Sequence, residues 1–305
     1  MQIMITGGCG FVGVNLVRKL VGRPGVRVRV FDNESLGKRA HLEGVECEFV
    51  HGDIRDRAAL DAALRGVDTV VHLAADTRVM DSIADPVFNF QVNVEGSLNL
   101  LEAMRAAKVG RLVNASTGGA IIGAAVGAVN EKMVASPMSP YGASKLAVEG
   151  YCSAYSESYG VRSVSLRFSN VFGPQSYHKG SVVAAFFKQI LQGKPLIVYG
   201  DGSQVRDYVF VGDLCEGILR GIESDVTGPV QLGSGKGLTL NDLIAEMRAV
   251  VAPRTFEVDY RPFRAGEIHT TFCDISKARD VLGFDPRTSL RDGLRQTWEW
   301  FNRRG

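Results

Sequence analysis

The sequence predicts an α/β protein in which a doubly wound parallel sheet is joined to a smaller C-terminal lobe. Two observations support this fold class. Short apolar strands alternate with helical segments from residue 2 to residue 168, and a strand, a turn, a helix and a second strand follow one another at the start of the chain. Parallel strands need crossover helices, and right-handed crossovers place these helices on both faces of one sheet.

The first strand covers Gln2 to Thr6 and leads into a turn with the frame G-x-x-G-x-x-G. Glycines let backbone N–H groups approach a pyrophosphate at the helix N-terminus, and the third glycine lets the helix pack on the strand. The turn is therefore predicted to bind a dinucleotide, the alternative being a glycine-rich turn that binds nothing. The residues assigned to it are Gly7, Gly10, Phe11, Val12 and Gly13.

The second strand, Val26 to Phe31, ends at Asp32 and Asn33, about twenty residues past the glycines, as in Rossmann-type nucleotide sites. A carboxylate at Asp32 can accept hydrogen bonds from both ribose hydroxyl groups of the adenosine half. It also repels a 2′-phosphate group. The sequence therefore favours NAD over NADP, with Asn33 beside the acid.

Two further strands, Glu46 to His51 and Thr69 to Leu73, extend the sheet. Asp53 and Ile54 follow the first of them, where open parallel sheets bind ligands, so an adenine contact is expected. A helix-capping role is an equal alternative for Asp53. Small residues after the other strand leave room for the cofactor, and the residues placed beside it are Leu73, Ala74 and Ala75.

The alternation continues with a helical pattern from Pro86 to Ala107 and a strand from Arg111 to Thr117 that ends in hydroxyl groups. A glycine-rich loop at residues 118–123 follows. A helix from Tyr141 to about Tyr159 and a strand from Arg162 to Phe168 complete the predicted sheet.

The helix that begins at Tyr141 carries Lys145 four residues later, so both side chains project from one face. A nearby ammonium group favours the phenolate form of a tyrosine, and so does the positive nicotinamide ring of NAD. The pair can therefore act as a base near neutral pH. A Y-x-x-x-K spacing also occurs by chance on helix surfaces, and Ser116-Thr117 can be an ordinary strand-end turn.

Beyond Gly173-Pro174 the pattern breaks into shorter segments. We predict a dinucleotide-binding domain with the Tyr/Lys pair at residues 1–173 and a mainly substrate-binding lobe at residues 174–305, with some exchange of chain between them. No charged or proline-rich linker separates the two, so a cleft for a second ligand is expected at the carboxyl edge of the sheet. The predicted segments are Val182 to Leu191, Leu196 to Gly202, Arg206 to Phe210, Leu214 to Gly221, Leu240 to Val251, Ser276 to Leu282 and Leu290 to Phe301.

Composition excludes several classes of function. The chain has 305 residues, 45% of them hydrophobic, and a net charge of only +2, so neither nucleic acid nor an anionic membrane is an expected partner. Its five cysteines are scattered without C-x-x-C spacing, which argues against a disulfide framework and a metal site. Because the first strand begins at residue 2 and no apolar run is long enough to cross a bilayer, we expect a cytoplasmic protein.

The sequence resembles the extended short-chain dehydrogenase/reductases, and among them the nucleotide-sugar 4-epimerases and dehydratases. The resemblance covers nearly the whole chain. It rests on T-G-G-C-G-F-V-G, F-D-N, G-D-I, H-L-A-A, A-S-T-G-G-A-I-I-G, Y-G-A-S-K, R-F-S-N-V-F-G-P, Y-G-D-G-S-Q-V-R-D-Y-V-F-V-G-D-L and D-I-S-K-A-R-D-V-L-G-F. By this likeness Thr117 is the triad hydroxyl group, Tyr141 is the base, and Lys145 tunes the tyrosine and holds the nicotinamide ribose.

The resemblance also implies a substrate side of the cleft. Asn170 and Ser116 are expected there, Arg206 and Arg264 at the nucleotide diphosphate, and Glu267 near the nucleotide ribose. Without the surrounding motif, Arg206 reads as an exposed strand residue paired to Asp207. Two further residues bear on the sugar. Thr271 is a small residue at the position that limits the space around the hexose in family members. Arg78 either pairs with a carboxylate on the sugar or is a solvated charge in a loop.

Two departures from the family pattern decide the expected reaction. Ile122 stands where family members commonly have a tyrosine, so the identity of the sugar is left open. Gly118 and Gly119 occupy the places where dehydratases carry an Asp-Glu pair, which favours epimerisation. The expected activity is NAD-dependent 4-epimerisation of UDP-glucose, UDP-glucuronate or a UDP-N-acetylhexosamine by a homodimer. The alternatives are a 4,6-dehydratase, a decarboxylase, a 4-reductase and a non-catalytic dinucleotide-binding sensor.

Overall fold

A computed structural model of the chain describes residues 1–125, 127–263 and 269–303. Within these residues, seven parallel strands form the central sheet. Their order is β11 (Gly228–Leu232), β6 (Arg162–Phe168), β5 (Arg111–Thr117), β4 (Thr69–His72), β1 (Gln2–Thr6), β2 (Arg27–Asp32) and β3 (Glu48–His51). The strand order reverses between β1 and β4, and open α/β sheets bind ligands at the carboxyl end of such a switch point. The predicted doubly wound parallel sheet is confirmed.

The elements up to residue 168 supply most of this sheet and its helices. They are β1 (Gln2–Thr6), α1 (Phe11–Leu20), β2 (Arg27–Asp32), β3 (Glu48–His51), α2 (Arg57–Ala63), β4 (Thr69–His72), α3 (Val79–Ala84), α4 (Pro86–Phe90), α5 (Gly96–Ala107), β5 (Arg111–Thr117), α6 (Gly118–Ile122), α7 (Pro140–Tyr159) and β6 (Arg162–Phe168).

The remaining elements build the second lobe, except that α9, β11 and α11 pack with the main sheet. They are β7 (Asn170–Phe172), α8 (Val182–Leu191), β8 (Leu196–Tyr199), β9 (Val205–Arg206), β10 (Tyr208–Phe210), α9 (Val211–Glu223), β11 (Gly228–Leu232), β12 (Leu238–Thr239), α10 (Leu240–Val251), β13 (Val258–Arg261), β14 (Thr270–Thr271), α11 (Ser276–Leu282) and α12 (Leu290–Asn302). Strand β11 pairs with β6 of the main sheet. The division at residue 173 stays a prediction.

The core has separate layers on the two faces of the sheet. Helices α1 and α9 pack on one face, while α2, α5 and α7 pack on the other. A third apolar cluster lies in the second lobe among α8, α10 and α12, with Phe187, Leu243 and Phe301 fully buried. Burial on both faces explains why β1 reads as a continuous apolar run. No helix in the described ranges is long and apolar enough to cross a membrane.

Several predicted elements differ from the structure. The predicted helix at residues 86–107 is interrupted by a π-helical turn, Gln91–Glu95, between α4 and α5. The predicted glycine-rich loop at residues 118–123 begins as the short helix α6, which ends where Gly123 adopts φ +76°. The predicted strand at 206–210 breaks at Asp207, because this buried carboxylate turns inward to accept hydrogen bonds from Ser234 and Gly235.

Candidate active site

The glycine turn between β1 and α1 brings the backbone close to the end of β4. Gly7 has φ +70°, and a Cβ atom there would lie 2.6 Å from the backbone nitrogen of Ala74. A Cβ atom at Gly13 would lie 2.4 Å from the carbonyl oxygen of Gly7. These overlaps leave glycine as the residue that fits at both positions. The N-terminus of α1 therefore stays open to a pyrophosphate, with Phe11 buried beneath it.

Asp32 ends β2 directly beside this turn. Its carboxylate accepts hydrogen bonds from the backbone N–H groups of Cys9 (2.9 Å) and Glu34 (2.8 Å). Burial raises the pKa of Asp32 above its ordinary value, although both hydrogen bonds oppose the shift. The acid thus anchors the glycine turn, and its remaining lone pairs are suited to ribose hydroxyl groups.

The predicted adenine-side residues lie together. The Asn33 amide group donates a 2.9 Å hydrogen bond to Asp53, and Arg55 donates to both carboxylate oxygens at 3.0 and 2.7 Å. The Arg55 hydrogen bond holds the pKa of Asp53 well below its usual range. The capping alternative for Asp53 is wrong, because Asp56 caps α2 by accepting from Ala59. Ile54 is buried against Gly96, where a Cβ atom would be 2.7 Å away.

The end of β4 forms the other wall of the cofactor cleft. Leu73, Ala74 and Ala75 are half-buried there. The backbone N–H of Leu73 donates to Thr6 at 3.0 Å, which holds this segment against the end of β1. Small residues at positions 74 and 75 leave the space next to the glycine turn free. The structure thus brings the predicted cofactor residues of β1, β2 and β4 to one edge of the sheet.

Thr117, Tyr141 and Lys145 form the predicted catalytic group. Burial raises the pKa of Tyr141 to about 12, and a hydrogen bond with the Thr117 side chain acts in the opposite direction. Lys145 is 5% exposed, and burial lowers the pKa of its ammonium group to about 8. Lys145 also donates a 3.0 Å hydrogen bond to the carbonyl oxygen of Ala115. The hydroxyl and phenol groups thus interact directly, with the ammonium group on the same helix.

Ser116 points away from this group, because successive residues of a strand face opposite sides of the sheet. Its hydroxyl group donates a 2.6 Å hydrogen bond to Glu149, which also pairs with Arg167 at 2.7 Å. The side chains of Arg167 and Glu149 are 6% and 8% exposed. The structure therefore does not bring Ser116 to the substrate side with Thr117. Instead it belongs to a buried polar cluster beneath the site.

Asp76 is a site residue that the sequence did not indicate. Its charge raises the pKa of Tyr141. Two buried asparagines hold it: Asn89 donates to its carboxylate at 2.8 Å, and Asn93 exchanges hydrogen bonds with its backbone. Asn93 also donates to Ser144 at 2.9 Å. Asn93 lies in the π-helical turn, and such turns are frequent at functional sites.

The two glycines after Thr117 are closely covered. A Cβ atom at Gly118 would lie 2.3 Å from Gln231 Oε1, and one at Gly119 would lie 2.9 Å from Thr271 Oγ1. Any larger residue would displace these neighbours. Thr271 therefore lies directly over the start of α6, while Ile122 is buried and does not line the cleft.

The predicted substrate residues of the second lobe meet around β9. Arg206 pairs in register with Thr271 of β14 and donates to the carbonyl oxygen of His269 at 3.0 Å. Asn170 is exposed on β7 and donates to the carbonyl oxygen of Asp207 at 3.1 Å. Asp207 does not pair with Arg206, because it faces the loop after β11. Arg264 and Glu267 lie outside the described residues.

Arg78 lies in the loop after β4, at the start of α3. It pairs with Asp81 at 3.3 Å, and its side chain is 53% exposed. Arg78 is therefore partly solvated, and it belongs to the same loop as Asp76. A link to a substrate stays a prediction.

The chain is similar to several known proteins. The sequence model of the NAD dependent epimerase/dehydratase family matches residues 3–233. A putative UDP-glucose 4-epimerase of Methanocaldococcus jannaschii is 34% identical over 98% of this chain and 98% of its own. The UDP-glucose 4-epimerase of Thermus thermophilus, solved in complex with NAD, is 38% identical with a TM-score of 0.92, covering 99% of both chains. A dTDP-glucose 4,6-dehydratase of Streptomyces niveus is 32% identical over 99% of this chain and 93% of its own.

Proposed function

Since the chain belongs to the NAD-dependent epimerase/dehydratase family, we propose that it is a 4-epimerase of a nucleotide-diphosphate sugar. The cofactor of this family of enzymes is NAD, and the cradle formed by Gly7, Gly13 and Asp32 fits it. The proposed substrates are UDP-glucose, UDP-glucuronate and UDP-N-acetylhexosamines. The glycine turn would hold the pyrophosphate and Asp32 the adenosine ribose.

The catalytic group supports a proton-transfer role. In the proposed reaction Tyr141 takes the proton of the C4 hydroxyl group, and Thr117 holds the same oxygen by a hydrogen bond. Lys145 would stabilise the phenolate and hold the nicotinamide ribose. NAD, when bound, would supply reversible hydride transfer at C4. The 4-keto sugar turns within the cleft between these steps, so that the opposite face receives the hydride.

Gly118 and Gly119 are the residues that favour an epimerase over a dehydratase. Elimination of water from C6 needs acid and base groups next to the triad hydroxyl group. At Gly118 and Gly119 any side chain would collide with Gln231 or Thr271. The cleft therefore supports a reaction in which the proton of a hydroxyl group and a hydride are exchanged and no bond to C6 is broken.

We propose that residues 174–305 mainly bind substrate, with Arg206 at its diphosphate. A homodimer is proposed on the face of α3 and α4, which pack on α7 and expose several large apolar side chains, a pattern typical of protein interfaces. These are Met80, Ile83, Val87, Phe88 and Phe90. A cytoplasmic location agrees with five free cysteines.

The proposal is tested by incubating the purified protein with NAD and UDP-glucose, UDP-galactose, UDP-glucuronate or UDP-N-acetylglucosamine, and separating the products by chromatography. An epimerase produces the C4 epimer and leaves the total NADH constant. Loss of water or of CO₂ would favour the dehydratase or the decarboxylase, and net consumption of NAD(P)H would favour the reductase. Binding of NAD without any turnover would favour the sensor.

A further inference from the structure

Three cationic side chains from separate parts of the chain meet beside the loop after β4. The Lys179 ammonium group donates a 3.2 Å hydrogen bond to the Thr77 hydroxyl group, which is 102 positions away in sequence. Lys188 of α8 donates a 2.9 Å hydrogen bond to the carbonyl oxygen of Lys179. Arg78 directly follows Thr77. Burial, and then the charge of Arg78, lower the pKa of both lysines.

In this basic cluster (Arg78, Lys179 and Lys188), Arg78 is paired with the exposed Asp81, whereas the two lysines have no such partner among the described residues. Within residues 1–125, 127–263 and 269–303, neither lysine has a carboxylate oxygen within 4.0 Å. His178 stacks on His41 with ring centroids 5.6 Å apart, and its pKa is lowered to about 4, first by burial and then by Lys179, so it is neutral at pH 7. Half-buried cations without a counter-charge are unfavourable, and an anionic ligand relieves that cost.

The cluster lies next to the loop segment that carries Asp76. Thr77 is adjacent to Asp76, whose charge acts on Tyr141. The diphosphate groups have other proposed partners, because the glycine turn is suited to that of the cofactor and Arg206 to that of the substrate. Once both diphosphate groups are assigned elsewhere, the remaining anionic group that the basic cluster could bind is a charged group on the sugar.

Building on the proposed function, the geometry points to the basic cluster as a site for a carboxylate on the sugar, so that the substrate is a nucleotide-diphosphate hexuronic acid. Lys179 and Arg78 supply the charged donors, which bind carboxylates more strongly than neutral donors do. Lys188 holds the backbone segment that carries Lys179. Of the three candidate substrates, UDP-glucuronate has such a carboxylate, whereas the sugars of UDP-glucose and UDP-N-acetylhexosamines are neutral.

The test compares kcat/KM for UDP-glucuronate and UDP-glucose in the wild type and in Lys179→Met. We expect the wild type to prefer UDP-glucuronate, and Lys179→Met to lower the ratio of the two constants by about 10- to 100-fold, the range for losing a charged hydrogen bond. Lys194→Met, an exposed lysine after α8, is the matched control and should leave the ratio unchanged. Arg78→Gln changes a largely exposed side chain and should also lower this ratio. It replaces Lys179→Met in the test if Lys179→Met does not fold.

The other outcomes separate failure of the carboxylate site from failure of the proposed function. An equal ratio in wild type, Lys179→Met and Lys194→Met would refute it while leaving the epimerase proposal intact. Weaker NAD binding by Lys179→Met, with an unchanged sugar ratio, would assign the cluster to the cofactor diphosphate. If no nucleotide sugar is turned over, the proposed function fails, and calorimetric binding of UDP-glucuronate decides the site separately. Equal affinity of wild type and Lys179→Met would then overturn it, whereas selective loss in the variant would support it.

Discussion

The ammonium group of Lys145 donates a 3.0 Å hydrogen bond to the carbonyl oxygen of Ala115, thirty positions earlier in the chain. This contact joins α7 to β5 two residues before Thr117. The helix that carries the phenol and the strand that carries the hydroxyl group are thereby held together. Lys145 is also buried, so its charge is screened less than it would be in water.

Asp76 should contribute, after burial, to the raised pKa of Tyr141. Its negative charge raises the pKa of the phenol, so Asp76→Asn removes that effect and lowers the pKa. Turnover needs the phenolate, and the rising limb of the pH profile of kcat should therefore shift to lower pH. Asp61→Asn, at an exposed position on α2, is the control and should not shift it. An unshifted limb, or one moved to higher pH, in Asp76→Asn would refute this assignment.

Glu149 should matter for stability because it compensates a buried cation. Arg167 and Glu149 are almost fully buried, and Arg167 Nη1 already lacks a partner among the described residues. Glu149→Gln should lower the free energy of unfolding by about 3 kcal/mol, as expected when a buried pair loses one charge. Urea denaturation measures this.

The control for Glu149 is an exposed ion pair. Asp225→Asn breaks the ion pair between Asp225, which is 87% exposed, and Arg162, which is 54% exposed. This substitution should change the unfolding free energy by less than about 1 kcal/mol. Equal effects of the two substitutions would contradict the role given to burial.

The glycine turn, Asp32 and the Y-x-x-x-K pair could be predicted because their spacing is local and each residue type has a direct physical reason. The orientation of Ser116 could not, since it depends on Glu149 and Arg167, which are distant in sequence. Asp76 was missed for the same reason: its position depends on Asn89, Asn93 and a π-helical turn that no simple periodicity indicates. The contact of Lys179 with Thr77 joins the two lobes and needs the folded chain.

Asp32 should determine the choice of dinucleotide. Asp32→Ala removes the acceptor for the ribose hydroxyl groups and the charge that repels a 2′-phosphate, so the ratio of the NAD and NADP dissociation constants should move towards NADP. It also removes the anchor of the Cys9 backbone, so NAD itself should bind more weakly. Asp32→Asn keeps an acceptor oxygen and should mainly relieve the repulsion. A wild type that prefers NADP would show that the role of this acid has been misassigned.

Thr271 should limit the size of the sugar. Its side chain lies over Gly119, so a tyrosine in its place would take up room beside the triad. Thr271→Tyr should lower kcat/KM for UDP-glucuronate and UDP-N-acetylhexosamines relative to UDP-glucose, because steric exclusion rejects the larger substituent. Thr271→Ser keeps the small volume and should preserve the wild-type ratios. The idea fails if Thr271→Tyr leaves these ratios as they are.

The central claim is that Tyr141 transfers the proton during C4 epimerisation. It is tested most directly by measuring epimer formation by wild type and Tyr141→Phe on the sugar that the wild type uses best, together with the NAD content of each protein. We predict that Tyr141→Phe folds and binds NAD but loses about 10²- to 10⁴-fold in kcat, the usual contribution of a general acid–base group. Epimer formation by Tyr141→Phe at nearly the wild-type rate would contradict the mechanism.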